Sequence, residues 1–156
     1  MNCEKKLEKK SLENFDDFIS QRSKGKPIAY LTKKKSFWKE IFKISSDVLI
    51  PRPETEIIIE EVLRFTKHKK NLRVLDIGVG SGCILLSILK EKKNFYGVGI
   101  DVSKKCIDLS MKNSLKLGLY KKVRLFNSDV DNFNYGKYDL IVSNPPYVKS
   151  CDLKYL

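Results

Sequence analysis

The sequence predicts an α/β fold: a parallel sheet with its functional groups at the carboxyl ends of the strands, preceded by a short helix and a hairpin. Three observations predict it. The apolar run Leu72-Arg73-Val74-Leu75 leads into Asp76-Ile77-Gly78-Val79-Gly80-Ser81-Gly82 and then an apolar helical stretch, residues 83–89. A second run, residues 95–100, ends in Asp101. A third, residues 138–143, ends in Asn144-Pro145-Pro146-Tyr147. Strand, glycine turn, helix and strand in that order build a sheet wound in parallel.

The elements follow in order. Residues 11–22 fit an amphipathic helix with Leu12, Phe15, Phe18 and Ile19 on one side, ended by Gly25-Lys26-Pro27. Ser36-Phe37-Trp38 and residues 41–44 read as the two strands of a hairpin. Pro53 suits the first turn of a helix reaching about His68, whose Ile57, Ile58, Val62, Leu63 and Phe65 are expected to pack on the sheet. After the first two core strands, Ser103 can cap a helix that Gly118 ends. Residues 123–126 form a third strand, with Asn127-Ser128-Asp129 at its carboxyl end, and residues 138–143 a fourth.

Composition bounds the class without choosing a substrate. The chain has 156 residues, 42% of them hydrophobic, enough for one modest core. Lys plus Arg number 31 against 19 acids, a formal charge of +12 that favours contact with polyanions. The lysines are spread along the chain, as at Lys69-Lys70, Lys92-Lys93 and Lys121-Lys122, and read mostly as solvated faces or loop ends. Nucleic-acid contact is compatible with this balance but not required by it. Cys3, Cys83, Cys106 and Cys151 are far apart and His68 is the only histidine, so no metal site is expected. No apolar run reaches spanning length and the lysine-rich start lacks a signal-peptide core. The expectation is no membrane and a reducing cytoplasm.

The glycine motif carries the first chemistry. Its spacing is G-x-G-x-G with an acid two residues ahead, whereas a dinucleotide site shows G-x-G-x-x-G facing a pyrophosphate. A carboxylate at Asp76 would repel that anion and suits the ammonium and sulfonium of S-adenosylmethionine. Asp101, at the end of the second strand, can accept hydrogen bonds from both ribose hydroxyls. The plainer alternative is an ordinary glycine turn with Asp101 as a helix-starting acid.

The second motif carries the acceptors. Two prolines stop the sheet and fix the backbone beyond it. The Asn144 side-chain oxygen and the Pro145 carbonyl can accept both hydrogens of a planar NH2 group, with Tyr147 as a flat wall. By itself Asn-Pro-Pro is only a turn.

Together these motifs resemble the class I S-adenosylmethionine-dependent methyltransferases. The stretch upstream narrows the resemblance. Arg22-Ser23-Lys24-Gly25-Lys26-Pro27-Ile28-Ala29-Tyr30-Leu31, then Phe37-Trp38, then Val48-Leu49-Ile50-Pro51-Arg52-Pro53-Glu54-Thr55-Glu56 is similar to the linker of the release-factor glutamine methyltransferases. The resemblance covers about residues 22 to 147. It implies a Rossmann-like methyltransferase sheet that takes S-adenosylmethionine and methylates the glutamine of the Gly-Gly-Gln loop in peptide-chain release factors, in translation termination. An exocyclic amine of RNA or DNA is the alternative substrate, and a non-catalytic remnant that binds S-adenosylmethionine is the alternative from outside the enzymes.

The site expectations can then be stated. Asp76, Gly78, Val79, Gly80, Ser81, Gly82, Asp101, Asp129, Val130 and Asn144 are expected to hold the cofactor, with Asp129 matching the family acid near the adenine and Val130 packing on its face. Asn144, Pro145 and Tyr147 are expected to be catalytic. Asn144, Pro145, Pro146, Tyr147 and Arg52 are expected to meet the substrate. Arg52 and Glu54 can equally stiffen the linker, and Thr55 and Glu56 can stabilise the first helical turn. The resemblance divides the chain into a remnant of an amino-terminal helical domain (1–24), a linker with the hairpin (25–56) and the first part of the methyltransferase domain (57–156). Such a domain has seven strands, and four can be placed. The chain therefore reads as truncated at both ends, inactive and poorly stable alone, with a separate carboxyl-terminal chain as a candidate partner.

Overall fold

The structure, a computed structural model, describes residues 8–145. Helix α1 (Lys9–Ser23) and the short α2 (Ile28–Thr32) lead into a hairpin of β1 (Lys34–Phe37) and β2 (Glu40–Lys43). A 3-10 turn at Pro53–Thr55 opens α3 (Glu56–Phe65). Then follow β3 (Arg73–Ile77), α4 (Cys83–Glu91), β4 (Tyr96–Asp101), α5 (Lys104–Lys116), β5 (Val123–Asn127) and β6 (Leu140–Ser143). The four later strands form one sheet in the order β5-β4-β3-β6, every neighbouring pair parallel. The predicted α/β class is the observed one. All four carboxyl ends therefore share one edge, where ligands of such sheets bind.

The core explains why the central elements are so apolar. Every α4 residue from Cys83 to Leu89 is buried, as a helix that is apolar all round must be. Leu85, Leu86 and Ile88 pack with Phe37, Phe42, Ile59 and Val74 on one face of the sheet. Each such burial contributes roughly 2 kcal/mol. The second face is smaller: Leu75, Val98 and Ile100, covered by Phe126, Phe133 and Tyr138. Gly97 in β4 lets α4 approach closely. A Cβ there would stand 2.8 Å from both Leu85 and Leu89 methyls.

Two local expectations are corrected. Trp38 is not a strand residue: it turns the hairpin with φ 54°. Its backbone N–H donates to Glu56 Oε1 and its indole N–H to Glu91 Oε1, each at 2.8 Å, which bolts the turn to α3 and α4. In α3 the buried residues are Ile59 and Val62, while Ile57 and Phe65 are 60% and 70% exposed. The helix starts at Glu56 after a 3-10 turn at Pro53–Thr55, and Arg64 covers the Phe65 ring. Helix α1 forms as expected, but its Leu12, Phe15, Phe18 and Ile19 remain exposed among the described residues.

Asn113 ties the hairpin to the sheet's functional edge. This fully buried α5 residue donates to the carbonyls of Lys43 and Ser81 and accepts from the Lys43 N–H. All three elements it joins are then fixed in one frame, with its polar atoms satisfied.

Candidate active site

The glycine loop between β3 and α4 is held against the end of β4. The N–H groups of Gly78 and Val79 both donate to the Ile100 carbonyl at 2.9 Å, and the Gly80 N–H donates to Asp101 Oδ2 at 2.9 Å. Gly82 caps α4 at φ 80°, and a Cβ there would meet Ser110 Oγ at 2.3 Å. No side chain fits that position, so the loop stays close to α4 and α5. Asp101 Oδ1 accepts from the Ser103 N–H at 2.9 Å. With both oxygens fixed by backbone donors, the carboxylate keeps spare lone pairs and one orientation.

A cavity of about 490 Å³ opens above this loop at the carboxyl ends of the strands. Gly78, Gly80, Asp101, Asp129, Val130, Asn144 and Pro145 line it together. Val79, Ser81 and Gly82 shape the loop from behind and do not line the cavity. Asp129 Oδ1 also accepts from the Asp131 N–H at 3.0 Å, so it fixes its own turn while facing the cavity. Val130 is 48% exposed there.

Asp76 is the unusual member. It is 1% exposed, it does not line the cavity, and neither carboxylate oxygen has a hydrogen-bond partner among the described residues. Burial pushes its pKa up to about 7; the nearby Leu85 backbone N–H in the first turn of α4 partly offsets this, and the charge of Asp101 adds to it. A carboxylate this deeply buried is costly to ionise unless positive charge stands near it.

The opposite wall was not legible beforehand. Asp47, Val48 and Leu49 line it from the loop after the hairpin. Tyr30 Oη donates to the Val48 carbonyl at 3.0 Å, and Lys105 pairs with Asp47 at 2.6 Å. These contacts are long-range, and the segment has no periodicity of its own to announce them. The wall also brings a third carboxylate to the cavity beside Asp101 and Asp129, an acidic lining inside a chain of charge +12.

A second cavity, about 600 Å³, adjoins it, lined by Arg52, Glu54, Thr55, Ile57, Ile58 and Asn144. Asn144 lines both cavities. Its Nδ2 donates to Thr55 Oγ1 at 3.3 Å, which leaves the amide oxygen as an acceptor. Thr55 precedes α3 but makes no capping bond, whereas Glu56 stands in the first turn as expected and also accepts from the Trp38 N–H of the hairpin turn. Pro146 and Tyr147 lie outside the described residues. Among the described residues no group of three His, Cys, Asp or Glu could hold a metal ion, and no helix is long and apolar enough to cross a membrane.

Residues 34–155 match the model of the methyltransferase small domain. The chain belongs to the methyltransferase small domain family. It is 40% identical over 95% of its length to a release factor glutamine methyltransferase of Buchnera aphidicola subsp. Schizaphis graminum, covering 53% of that protein. Among solved structures it resembles a METTL16 methyltransferase domain, with TM-score 0.59, 22% identity, and 68% of this chain and 51% of that one covered. A SAM-dependent methyltransferase from Geobacter sulfurreducens, solved with S-adenosyl-L-homocysteine, superposes with TM-score 0.50 at 22% identity, over 59% of this chain and 36% of the other. These two likenesses concern the fold. The chain spans 50–54% of the length of the first curated relatives it matches. In this methyltransferase-family chain the two cavities and their shared asparagine are the candidate site.

Proposed function

We propose that the chain carries the cofactor pocket and catalytic asparagine of an S-adenosylmethionine-dependent enzyme that methylates the Gly-Gly-Gln glutamine of peptide-chain release factors in the cytoplasm. The observation that carries this reading is Asn144 at the junction of two cavities, one acidic and one walled by Arg52, Glu54, Thr55, Ile57 and Ile58. The names of relatives at 34–40% identity support the release-factor substrate.

The residues present fit the cofactor. Asp101 suits a ribose diol, Asp129 and Val130 an adenine, and the unpartnered Asp76 a positive charge held above the loop. When bound, S-adenosylmethionine supplies an electrophilic methyl group. The protein's task is then to present a poor nucleophile, since an amide nitrogen shares its lone pair with its carbonyl. The Asn144 oxygen and the Pro145 carbonyl accept the two N–H bonds of the substrate, which orients the nitrogen and favours the positive charge that develops on it. Thr55 keeps Asn144 in that pose. Arg52 and Glu54 form the wall that meets the substrate peptide. The nitrogen becomes acidic once alkylated, so its proton needs no strong base.

Incubating the chain, completed with the carboxyl-terminal half of a full-length relative, with labelled methyl donor and either release factor or total RNA tests the substrate, with the intact relative as positive control. Label at the Gly-Gly-Gln glutamine alone is the expected result. Label in RNA alone would replace the substrate, and cofactor binding without transfer to either would favour the non-catalytic reading.

A further inference from the structure

Lysines scattered in the sequence converge in the fold. Because β3 to β6 run parallel, their amino ends share the edge opposite the candidate active site. Lys69 and Lys70 precede β3, and Lys92 and Lys93 precede β4. Lys121 and Lys122 precede β5, and Lys137 precedes β6. With parallel strands about 4.8 Å apart, cations at four adjacent strand starts make a row on the order of 15 Å long.

A cavity of about 520 Å³ opens on this edge, with Arg73, Lys121, Lys122 and Arg124 in its lining and Tyr96 and Tyr135 beside them. No carboxylate lines it. The Arg73 guanidinium lies 5.2 Å from the Tyr135 ring centre, and Arg124 lies 5.8 Å from it and donates to its hydroxyl. Among the described residues, none of these four cations is in an ion pair. Asp139, the nearby carboxylate, is bonded to the Arg73 backbone N–H at 2.7 Å. Lys122 donates to the Lys93 carbonyl, Arg73 to the Tyr135 carbonyl and Lys92 to the Thr66 carbonyl. Carbonyls do not neutralise charge, so the edge stays positive, with Tyr96 59% exposed beside it.

We propose that this amino edge is an RNA-docking surface: the lysine row contacts phosphates, and the tyrosine-lined cavity takes an unstacked base. Charge complementarity favours a polyanion, and aromatic faces interleaved with arginine favour one with bases. Cofactor and RNA would sit at opposite ends of the same strands, so each binds without displacing the other.

Fluorescence anisotropy with a labelled 12-nucleotide single-stranded RNA at 50 and 200 mM salt tests the surface on the full chain. The triple variant Lys121→Glu, Lys122→Glu, Arg124→Glu should bind at least about tenfold more weakly, with a shallower salt dependence. A control of equal net charge, Lys9→Glu, Lys10→Glu, Lys24→Glu, should stay within about threefold of the parent. Should the first triple fail to fold by circular dichroism, the exposed Lys69→Glu, Lys93→Glu, Lys137→Glu triple, of the same charge change, serves instead with the same expectation. Tyr96→Ala should lose about fivefold on its own. Equal weakening by patch and control variants, tighter binding to phosphatidylserine vesicles than to RNA, or no RNA binding at 50 mM salt would overturn the proposal.

Discussion

Asp76 shows how one buried carboxyl group couples folding to pH. Between about pH 4 and 7 the native state holds a proton on Asp76 that the unfolded chain has already released. Its contribution to stability is therefore present below the unfolded pKa and lost as pH rises to 7, at up to roughly 1.4 kcal/mol per pH unit. Asp76→Asn should flatten that slope and raise the melting temperature at pH 8, read by thermal denaturation across pH 4–8. An unchanged pH profile would mean the carboxylate is paired or hydrated in solution. Thr55 acts at the same scale through a single bond to Asn144. Thr55→Val should lower kcat for amide methylation about tenfold with cofactor affinity within twofold, because it frees the Asn144 amide to rotate. A loss confined to cofactor binding would contradict that assignment.

At the scale of elements, the glycine loop, α5 and the hairpin form one unit through Asn113. Its amide makes three hydrogen bonds with no water-facing alternative. Asn113→Ala should cost about 3 kcal/mol in urea denaturation, since buried partners lose their bonds together. A cost below about 1 kcal/mol would mean that the loop and hairpin are positioned by packing alone. The contrast between what was legible in the sequence and what was not follows from range. Local signals carried the strand, turn and helix around Asp76 to Leu89, because apolar runs and glycine spacing report on their own neighbours. They failed for Trp38, whose left-handed turn depends on Glu56 and Glu91, and for the Asp47–Leu49 wall, held by Tyr30 and Lys105. The charge pattern was visible too, but only the parallel winding brings the lysine pairs to one edge.

Across the whole molecule, the sheet separates two electrostatic environments. Carboxylates gather at the carboxyl edge and cations at the amino edge, in a chain whose net charge is +12. On our proposal the acidic edge suits S-adenosylmethionine and not a pyrophosphate-bearing dinucleotide. Asp101 is the residue on which the claim turns, because its oxygens face the cavity while their backbone donors hold them still. The direct measurement is calorimetric titration of the 156-residue chain with S-adenosylmethionine and with NAD, repeated on Asp101→Ala. Binding of the first ligand only is expected, weakened roughly 10–100-fold by the substitution. Binding of NAD in preference, or S-adenosylmethionine binding indifferent to the loss of Asp101, would contradict it.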